Sequence, residues 1–481
     1  MLFTIDRHLP HPVQNQLREQ IIAGILNGQL TPGTKMPSSR KLADDLGISR
    51  ATVMIVYDKL VEGDFLISVP RSGYRVGDIA ATSGARLPAN RNEGSTVAWD
   101  RLIDTRLASQ RNIVKPADWQ EYPYPFVYGQ PDASLFPLPA WRECSRQAMS
   151  RHAMRDWAND AVTADDPELV LQIRSKLLPR RGIYASEEEI LITLGAQNGL
   201  YLIAAALMRP RVHVGIEDPG YPDARNIFEQ CGATLHPLPV DEGGVMVTEI
   251  PEQAKILFVT PSHQYPTTVT LSPARRKGLL AAASQNDQLI IEDDFESDTN
   301  YTGQPVPALK SEDRDGRVLY TGSLSKSMFP GLRLGYIVAP KPLIREMRAL
   351  RRLMLRHAPS NNQRTTALFI AQGYHLAYIA KLHKAYGERR RKMAAGLEKY
   401  LPGMATAPSF GGTSFWVKGP EGINCEALAA RALKEGIVLE PGAVHFMAPK
   451  RGERYFRLGF SSIATERIDD GLKRLSTLLT G

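Results

Sequence analysis

Residues 322–336 read GSLSKSMFPGLRLGY. The run leaves an apolar strand, RVLYTGS (317–323), and enters another, LGYIVAP (334–340), so its central lysine, Lys326, stands in a loop of small residues at a strand end. Ser323 and Ser325 precede it and Arg333 follows seven positions on. A lysine held among hydroxyls near a fixed cation has its pKa lowered, which favours a neutral amine able to form an imine with an aldehyde. Two serines and an arginine can also grip a phosphate. Alone, such a loop is more often an ordinary solvated turn, and the surrounding sequence must decide.

Outward from this loop, strand-like runs alternate with helical ones. EEILITL (188–194) precedes GLYLIAAALM (199–208), VHVGI (212–216) precedes PDARNIFEQC (222–231), and KILFVT (255–260) and QLIIEDD (288–294) follow. This alternation predicts an α/β fold, a mainly parallel sheet covered by helices with ligands at the carboxyl ends of the strands. Asp293 closes one strand in IIEDDFESD, where a buried carboxylate can pair with a pyridinium nitrogen and preserve the ring as an electron sink. TLGAQNGLYLIA places Gly195, Ala196 and Gln197 at a strand-to-helix junction, where backbone N–H groups receive phosphate. DPGYPDA puts Tyr221 after a further strand, where its ring can stack on a planar group. Each has an ordinary reading as a surface acid, a packing glycine or a loop tyrosine; their order along one sheet argues for a site.

The first 76 residues have a different pattern. Val13, Leu17, Ile21, Ile22, Ile25 and Leu26 form one stripe of a helix opened by Pro12 and closed by Gly28. Ser38 or Ser39 can cap a short helix holding Leu42, Ala43 and Leu46 that stops at Gly47, and Ser49 caps another running to Gly63. Two short helices about LGIS have helix-turn-helix spacing, which presents Arg50, Ala51 and Thr52 to a major groove. FLISVPRSGYRV (65–76) reads as a hairpin, or wing, with Arg71 and Gly73 at its tip. Periodicity alone leaves a helical interaction domain equally open, and nine basic against seven acidic side chains is too small a surplus to decide. Residues 77–114, rich in Gly, Ala, Ser, Asn and Arg, read as a flexible tether that, at about 3.3 Å per extended residue, can cross a whole domain.

Composition sets the outer limits. The chain has 481 residues, 43% hydrophobic and 23% charged, the mix of a globular protein with two or three units at roughly 150 residues each. The longest apolar run is the nine residues Leu200–Met208, short of the about 20 that cross a bilayer. MLFTIDRHLPHP has no apolar signal core, which predicts a cytoplasmic chain without a membrane partner. Cys144, Cys231 and Cys425 are scattered and predict neither disulfide nor metal site. A net charge of +8 permits an acidic partner without locating it.

At this point two resemblances apply. LTPGTKMPSSRKLADDLGISRATVMIVYDKLVEGDFL (30–66) resembles the winged helix-turn-helix of the GntR family, which implies that Arg40, Arg50 and Thr52 contact phosphates or bases of double-stranded promoter DNA, with Ser49 at the helix start and Arg71 and Gly73 in the wing. Residues 120–481 resemble the fold-type I aminotransferases, which implies pyridoxal 5'-phosphate as cofactor and a large mainly parallel sheet domain with a smaller C-terminal α/β subdomain. By that resemblance Lys326 carries the cofactor as an imine, Asp293 pairs with the ring nitrogen, Ala196, Gln197, Ser323 and Arg333 hold the phosphate, and Tyr221 stacks on the ring. TPSHQYPTT, with His263 and Tyr265, matches the loop near the ring hydroxyl, and Arg457 in YFRLGFSS matches the arginine that grips a substrate carboxylate.

The combined order, a winged helix at 1–76, a tether at 77–114 and an aminotransferase-like unit at 115–481, resembles the MocR/GabR family of transcription regulators. The resemblance implies a homodimer that senses an amino compound or the cofactor itself, and the tether permits the DNA-binding unit to be swapped over a partner subunit. Three departures are visible. Phe295 stands where relatives carry a tyrosine on the ring hydroxyl, Tyr265 replaces the asparagine of N-P-T-G, and NDAVTADDPELVLQIR (159–174) lacks the tyrosine and glycine of Y-x-x-x-x-G. These predict cofactor retention with at most weak or half-reaction transamination. A working aminotransferase with an N-terminal interaction domain, and a regulator whose site has decayed, stay as alternatives.

Overall fold

The computed structural model describes residues 3–7, 9, 11–78, 97–103, 107–301, 306–405 and 411–480. The chain divides into two compact units, Met1–Thr105 and Arg106–Gly481. Of the tether read at 77–114, residues 79–96 and 104–106 lie outside the described ones.

In the first unit, helix α1 (Val13–Leu26) buries Leu17, Ile21 and Ile25. Helix α2 (Ser39–Leu46) begins where the Ser38 hydroxyl accepts from the Lys41 N–H at 3.2 Å, and it stops at Gly47, whose φ of 62° is the left-handed conformation that ends helices. Helix α3 (Arg50–Glu62) begins in the same way, Ser49 Oγ accepting from the Thr52 N–H at 3.1 Å. Losing such a cap typically costs about 1 kcal/mol, so both ends of the inter-helix turn are set locally. Strands β1 (Leu66–Val69) and β2 (Gly73–Val76) form the expected antiparallel hairpin. Residues 33–36 also join it, with Gly33 N–H donating to Val76 O and Met36 N–H to Tyr74 O, both at 2.9 Å. Tyr57 ties α3 to this edge by donating its hydroxyl to Pro37 O at 2.9 Å.

The second unit is built on an eight-stranded sheet. After the short β3 (Tyr124–Pro125) come β4 (Ile190–Thr193), β5 (His213–Asp218), β6 (Thr234–Asp241), β7 (Gly244–Val245), β8 (Ile256–Val259), β9 (Leu289–Asp294), β10 (Val318–Ser323) and β11 (Gly335–Val338). Their order is β4-β11-β10-β9-β8-β5-β6-β7. The run β10-β9-β8-β5-β6 is parallel throughout, while β11 is antiparallel to both its neighbours and β7 is antiparallel to β6. β4, β8 and β11 are buried at every position, as strands covered by helices on both faces must be. All six strands legible in the sequence are present. β6 was not legible, because Pro237 and Pro239 argue against a strand; it lies near the sheet edge, with only the two-residue β7 beyond it.

A smaller sheet joins β12 (Ser414–Lys418), β15 (Tyr455–Gly459) and β14 (Glu440–Pro441), and β13 (Ile437–Val438) pairs with β3. The 27-residue helix Tyr374–Tyr400 packs against helix Ile468–Thr480 beside it. The second unit starts earlier than residue 115: Arg111 donates to the carbonyls of Phe446 and Met447, each at 3.2 Å, so the end of the stretch read as tether is bound to this unit. Its polar composition hid the one arginine that engages three carbonyls, those two and Ala443 O. Among the described residues no helix is long and apolar enough to cross a membrane, no group of His, Cys, Asp and Glu has metal-binding geometry, and the three cysteines are free.

Candidate functional site

The carboxyl ends of β4, β5, β8, β9 and β10 converge on a cavity of about 310 Å³. That volume suits a small-molecule cofactor with a ligand beside it. Gln197, Tyr221, Tyr265, Asp293, Lys326 and Arg457, from well-separated parts of the chain, are among its lining residues.

Parallel pairing of β9 with β10 sets Asp293 opposite Thr321, whose hydroxyl donates to Asp293 Oδ1 at 2.9 Å. Burial raises the Asp293 pKa to about 7, against this hydrogen bond and the nearby Lys326. Side chains alternate along β9, so its neighbours do other work. Glu292 accepts the Leu309 and Lys310 N–H groups at 2.7 Å each, and Asp294 pairs with Arg181 at 2.7 Å. Lys326 lies 4.8 Å from the centroid of the Tyr128 ring. Burial pushes its pKa down, opposed by Glu296 and reinforced by Arg457. Gly129 makes this approach possible: a Cβ there would lie 2.6 Å from Lys326 Nζ, and its φ of +69° is one that side chains resist.

One end of the cavity is built on the start of the helix Gly195–Leu207, which has no side-chain cap on its first turn. Gly195, Ala196, Gln197, Ser323, Ser325 and Arg333 all line it. Arg333 takes a left-handed φ of 51° and donates Nη2 to Leu194 O at 3.0 Å, which aims it at the helix start. Gly335 lets β11 come this close, since a Cβ there would lie 2.8 Å from the Gly195 carbonyl carbon. Ser325 is a loop clamp, its hydroxyl accepting from Leu334 N–H at 3.2 Å and donating to Leu334 O at 3.3 Å.

At the other end is an aromatic cage. Tyr265 lies 5.1 Å from Tyr221, 5.6 Å from Tyr128 and 5.6 Å from Phe295, ring centre to ring centre. Its hydroxyl accepts from Arg457 Nη2 at 2.6 Å, and Tyr221 donates to Asp223 Oδ2 at 3.0 Å. Arg457 is also 2.5 Å from Glu440 Oε1. His263 departs from expectation. It is buried outside the cavity lining, against Gly411, with Nδ1 unpartnered and its pKa pushed down to about 4 by burial. Tyr128, Gly129 and Glu440 were missed, since nothing in YPYPFVYGQ or VLEPGAV marks them locally.

In the first unit, Arg50 is exposed at the first turn of α3 and donates Nε to Ser39 Oγ at 3.3 Å. Ser49 and Thr52 share a 2.8 Å hydroxyl contact. Arg40 is exposed on α2, and Arg71 and Gly73 lie at the wing tip with φ of 63° and 91°. Residues 13–76 match the gntR family of bacterial regulatory proteins, and residues 128–475 match aminotransferase class I and II. The HTH-type transcriptional regulator TauR of Rhodobacter capsulatus is 42% identical over 97% of this chain and 96% of its own length. The chain belongs to the MocR-type transcriptional regulators.

The probable rhizopine catabolism regulatory protein MocR of Rhizobium meliloti is 29% identical over 98% of this chain and 95% of its own length. A Pyrococcus horikoshii kynurenine aminotransferase, solved in complex with PMP, superposes on 80% of this chain and 98% of its own with a TM-score of 0.72 at 26% identity. MocR-type regulators are DNA-binding proteins with a pyridoxal-phosphate fold, and the residues present here fit that cofactor. A buried carboxyl of raised pKa suits a protonated ring nitrogen, a lysine of lowered pKa suits an aldehyde, and an uncapped helix start with Arg333 suits a phosphate.

Proposed function

We propose that this regulator carries pyridoxal phosphate on Lys326 and answers an amino compound, or the cofactor itself, by changing how its winged helix engages promoter DNA. One observation carries this reading: Lys326, Asp293 and Arg457 face a single cavity in a chain that begins with a winged helix-turn-helix. When bound, the cofactor supplies an aldehyde carbon that exchanges one amine for another and a ring that withdraws electrons. Asp293 would keep the ring nitrogen protonated, while Ser323, Arg333 and the N–H groups of Ala196 and Gln197 would hold the phosphate. Tyr221 and Tyr265 would flank the ring. Lys326 would bind the cofactor covalently and release it to an incoming amine, whose acidic group, where it has one, would meet Arg457.

On the DNA side, Arg40, Arg50 and Thr52 would contact phosphates or bases, Ser49 would fix the helix start, and Arg71 and Gly73 would approach the duplex at the wing. A twofold pair of such units would suit a repeated or palindromic operator. A ligand alters DNA binding only by favouring one of two arrangements, and typical couplings of about 1–3 kcal/mol change affinity about 5- to 150-fold. Titrating the cofactor-loaded protein with amino compounds, and following absorbance and DNA mobility shift on the same samples, tests this. The compound that alters the spectrum should alter DNA affinity by at least about fivefold. Repeated turnover with a keto acid at unchanged DNA affinity would instead identify a working aminotransferase.

A further inference from the structure

Antiparallel pairing of β14 with β15 sets Glu440 directly opposite Arg457. The Glu440 Oε1 atom lies 2.5 Å from Arg457 Nη2 and 2.8 Å from His445 Nε2. The guanidinium carbon lies 3.6 Å from the centre of the Tyr128 ring and 4.4 Å from that of Tyr265, two rings whose own centres are 5.6 Å apart, and Arg457 is only 1% exposed. Tyr128 thus packs on the guanidinium while Tyr265 meets its Nη2 edge through the hydroxyl; an acid binds a guanidinium most strongly through two adjacent N–H groups, a grip that includes Nη2 on either edge. On the Nη2 edge the Tyr265 hydroxyl, at 2.6 Å, and Glu440 already accept, whereas Nε has no hydrogen-bond partner. Glu440 and Arg457 both line the cavity that contains Lys326.

We propose that Glu440 is the resident counter-ion of Arg457 and sets the class of amine the cavity accepts. An amine without an acidic group enters beside the closed pair, whereas an amine bearing a carboxylate or sulfonate must displace Glu440 from Nη2 to hold Arg457 by two hydrogen bonds. This rests on the amine-responsive reading given above. The closed pair is neutral and offers an acid little attraction. Opening it leaves one buried carboxylate beside another, with two basic groups close enough to compensate. Burial pushes the pKa of both down: His445, hydrogen-bonded to Glu440, and Lys115, on the cavity wall. Displacement is thus possible but penalised, so Glu440 sets a threshold that an uncharged tail escapes.

The test compares wild type with Glu440→Gln, which keeps the side-chain shape and removes the charge. Two readouts are taken. The first is the thermal midpoint of the cofactor-free protein in sodium acetate against sodium chloride at equal ionic strength. The second is the spectral affinity of the cofactor-loaded protein for 4-aminobutanoate against n-propylamine. The variant should show the larger acetate-induced rise, and its affinity ratio should move toward 4-aminobutanoate by at least about tenfold. If Glu440→Gln fails to fold, Glu440→Asp, which keeps the charge but withdraws it by one methylene, should move both readouts in the same direction by less. Equal acetate responses with an unchanged ratio overturn the proposal, as does a ratio that moves toward n-propylamine. If neither amine changes any spectrum while acetate stabilises the variant more, amine sensing fails and the counter-ion role of Glu440 stands.

Discussion

Replacing Asp293 by asparagine probes the cofactor site through stability, independently of any reaction. The carboxyl is 4% exposed, and burial lifts its pKa from 3.8 to about 7, with the Thr321 hydrogen bond and Lys326 working the other way. Between those two values the folded protein keeps a proton that the unfolded chain has released. Stability therefore falls as pH rises through this window, and the loss is complete above the folded value. At about 1.4 kcal/mol per pH unit the full loss is on the order of 4 kcal/mol, of which roughly 2–3 kcal/mol falls between pH 5 and pH 8. An asparagine can still accept from Thr321 but has no proton to lose.

Without cofactor, the Asp293→Asn variant should thus gain stability over wild type between pH 5 and pH 8. The difference is about 3 °C in the melting midpoint of a unit this large, readable by differential scanning calorimetry. Pyridoxal phosphate should act in the opposite sense. A protonated ring nitrogen gives the wild-type carboxylate a counter-ion, so wild type at pH 8 should be stabilised more by saturating cofactor than the variant, whose amide cannot neutralise that charge. Parallel pH slopes for the two proteins would refute the burial argument. Equal stabilisation by cofactor would refute the pairing of Asp293 with the ring.

Three further outcomes are expected. Lys326→Ala should abolish the visible absorbance of the loaded protein, and borohydride reduction of wild type followed by peptide mapping should label position 326 alone. Gly129→Ala should lower cofactor occupancy, measured as absorbance per protein, because the new methyl would sit 2.6 Å from Lys326 Nζ at a φ of +69°; a backbone mismatch of this kind costs about 1–3 kcal/mol. Arg50→Ala should weaken binding to the protein's own upstream DNA by about 1–3 kcal/mol in a mobility-shift titration, with the absorbance unchanged.

Much of the fold could be read directly because its signals are local. Ser38 and Ser49 precede helices they cap by hydrogen bonds to residues three positions on, and Gly47 ends a helix through its own φ. Lys326 and Asp293 declare themselves by standing at the ends of apolar runs, and parallel neighbours in a sheet bring such ends together. β6 failed this test because proline suppresses the usual strand signal, and only its place near the sheet edge makes Pro237 and Pro239 tolerable. The start of the second unit was misplaced for a comparable reason. The contacts of Arg111 are made with carbonyls more than 300 residues further along the chain.

The cavity wall formed by Arg457 and Glu440 was not legible in the same way. In sequence, Arg457 resembles an arginine awaiting a ligand's acid, and Glu440, seventeen positions away in a turn-like E-P-G, shows no link to it. The hairpin register of β14 and β15 converts that separation into a 2.5 Å contact, and Tyr128 and Tyr265, each far away in the chain, pack beside the guanidinium with ring centres at 3.6 and 4.4 Å. Burial alone would drive Glu440 toward its neutral form, but Arg457 and His445 hold its pKa below the ordinary carboxylate value, so the pair persists as ions. Charge at this wall is therefore a property of the pair and not of Arg457. Under the amine-responsive reading proposed above, an incoming amine would meet a cation already neutralised.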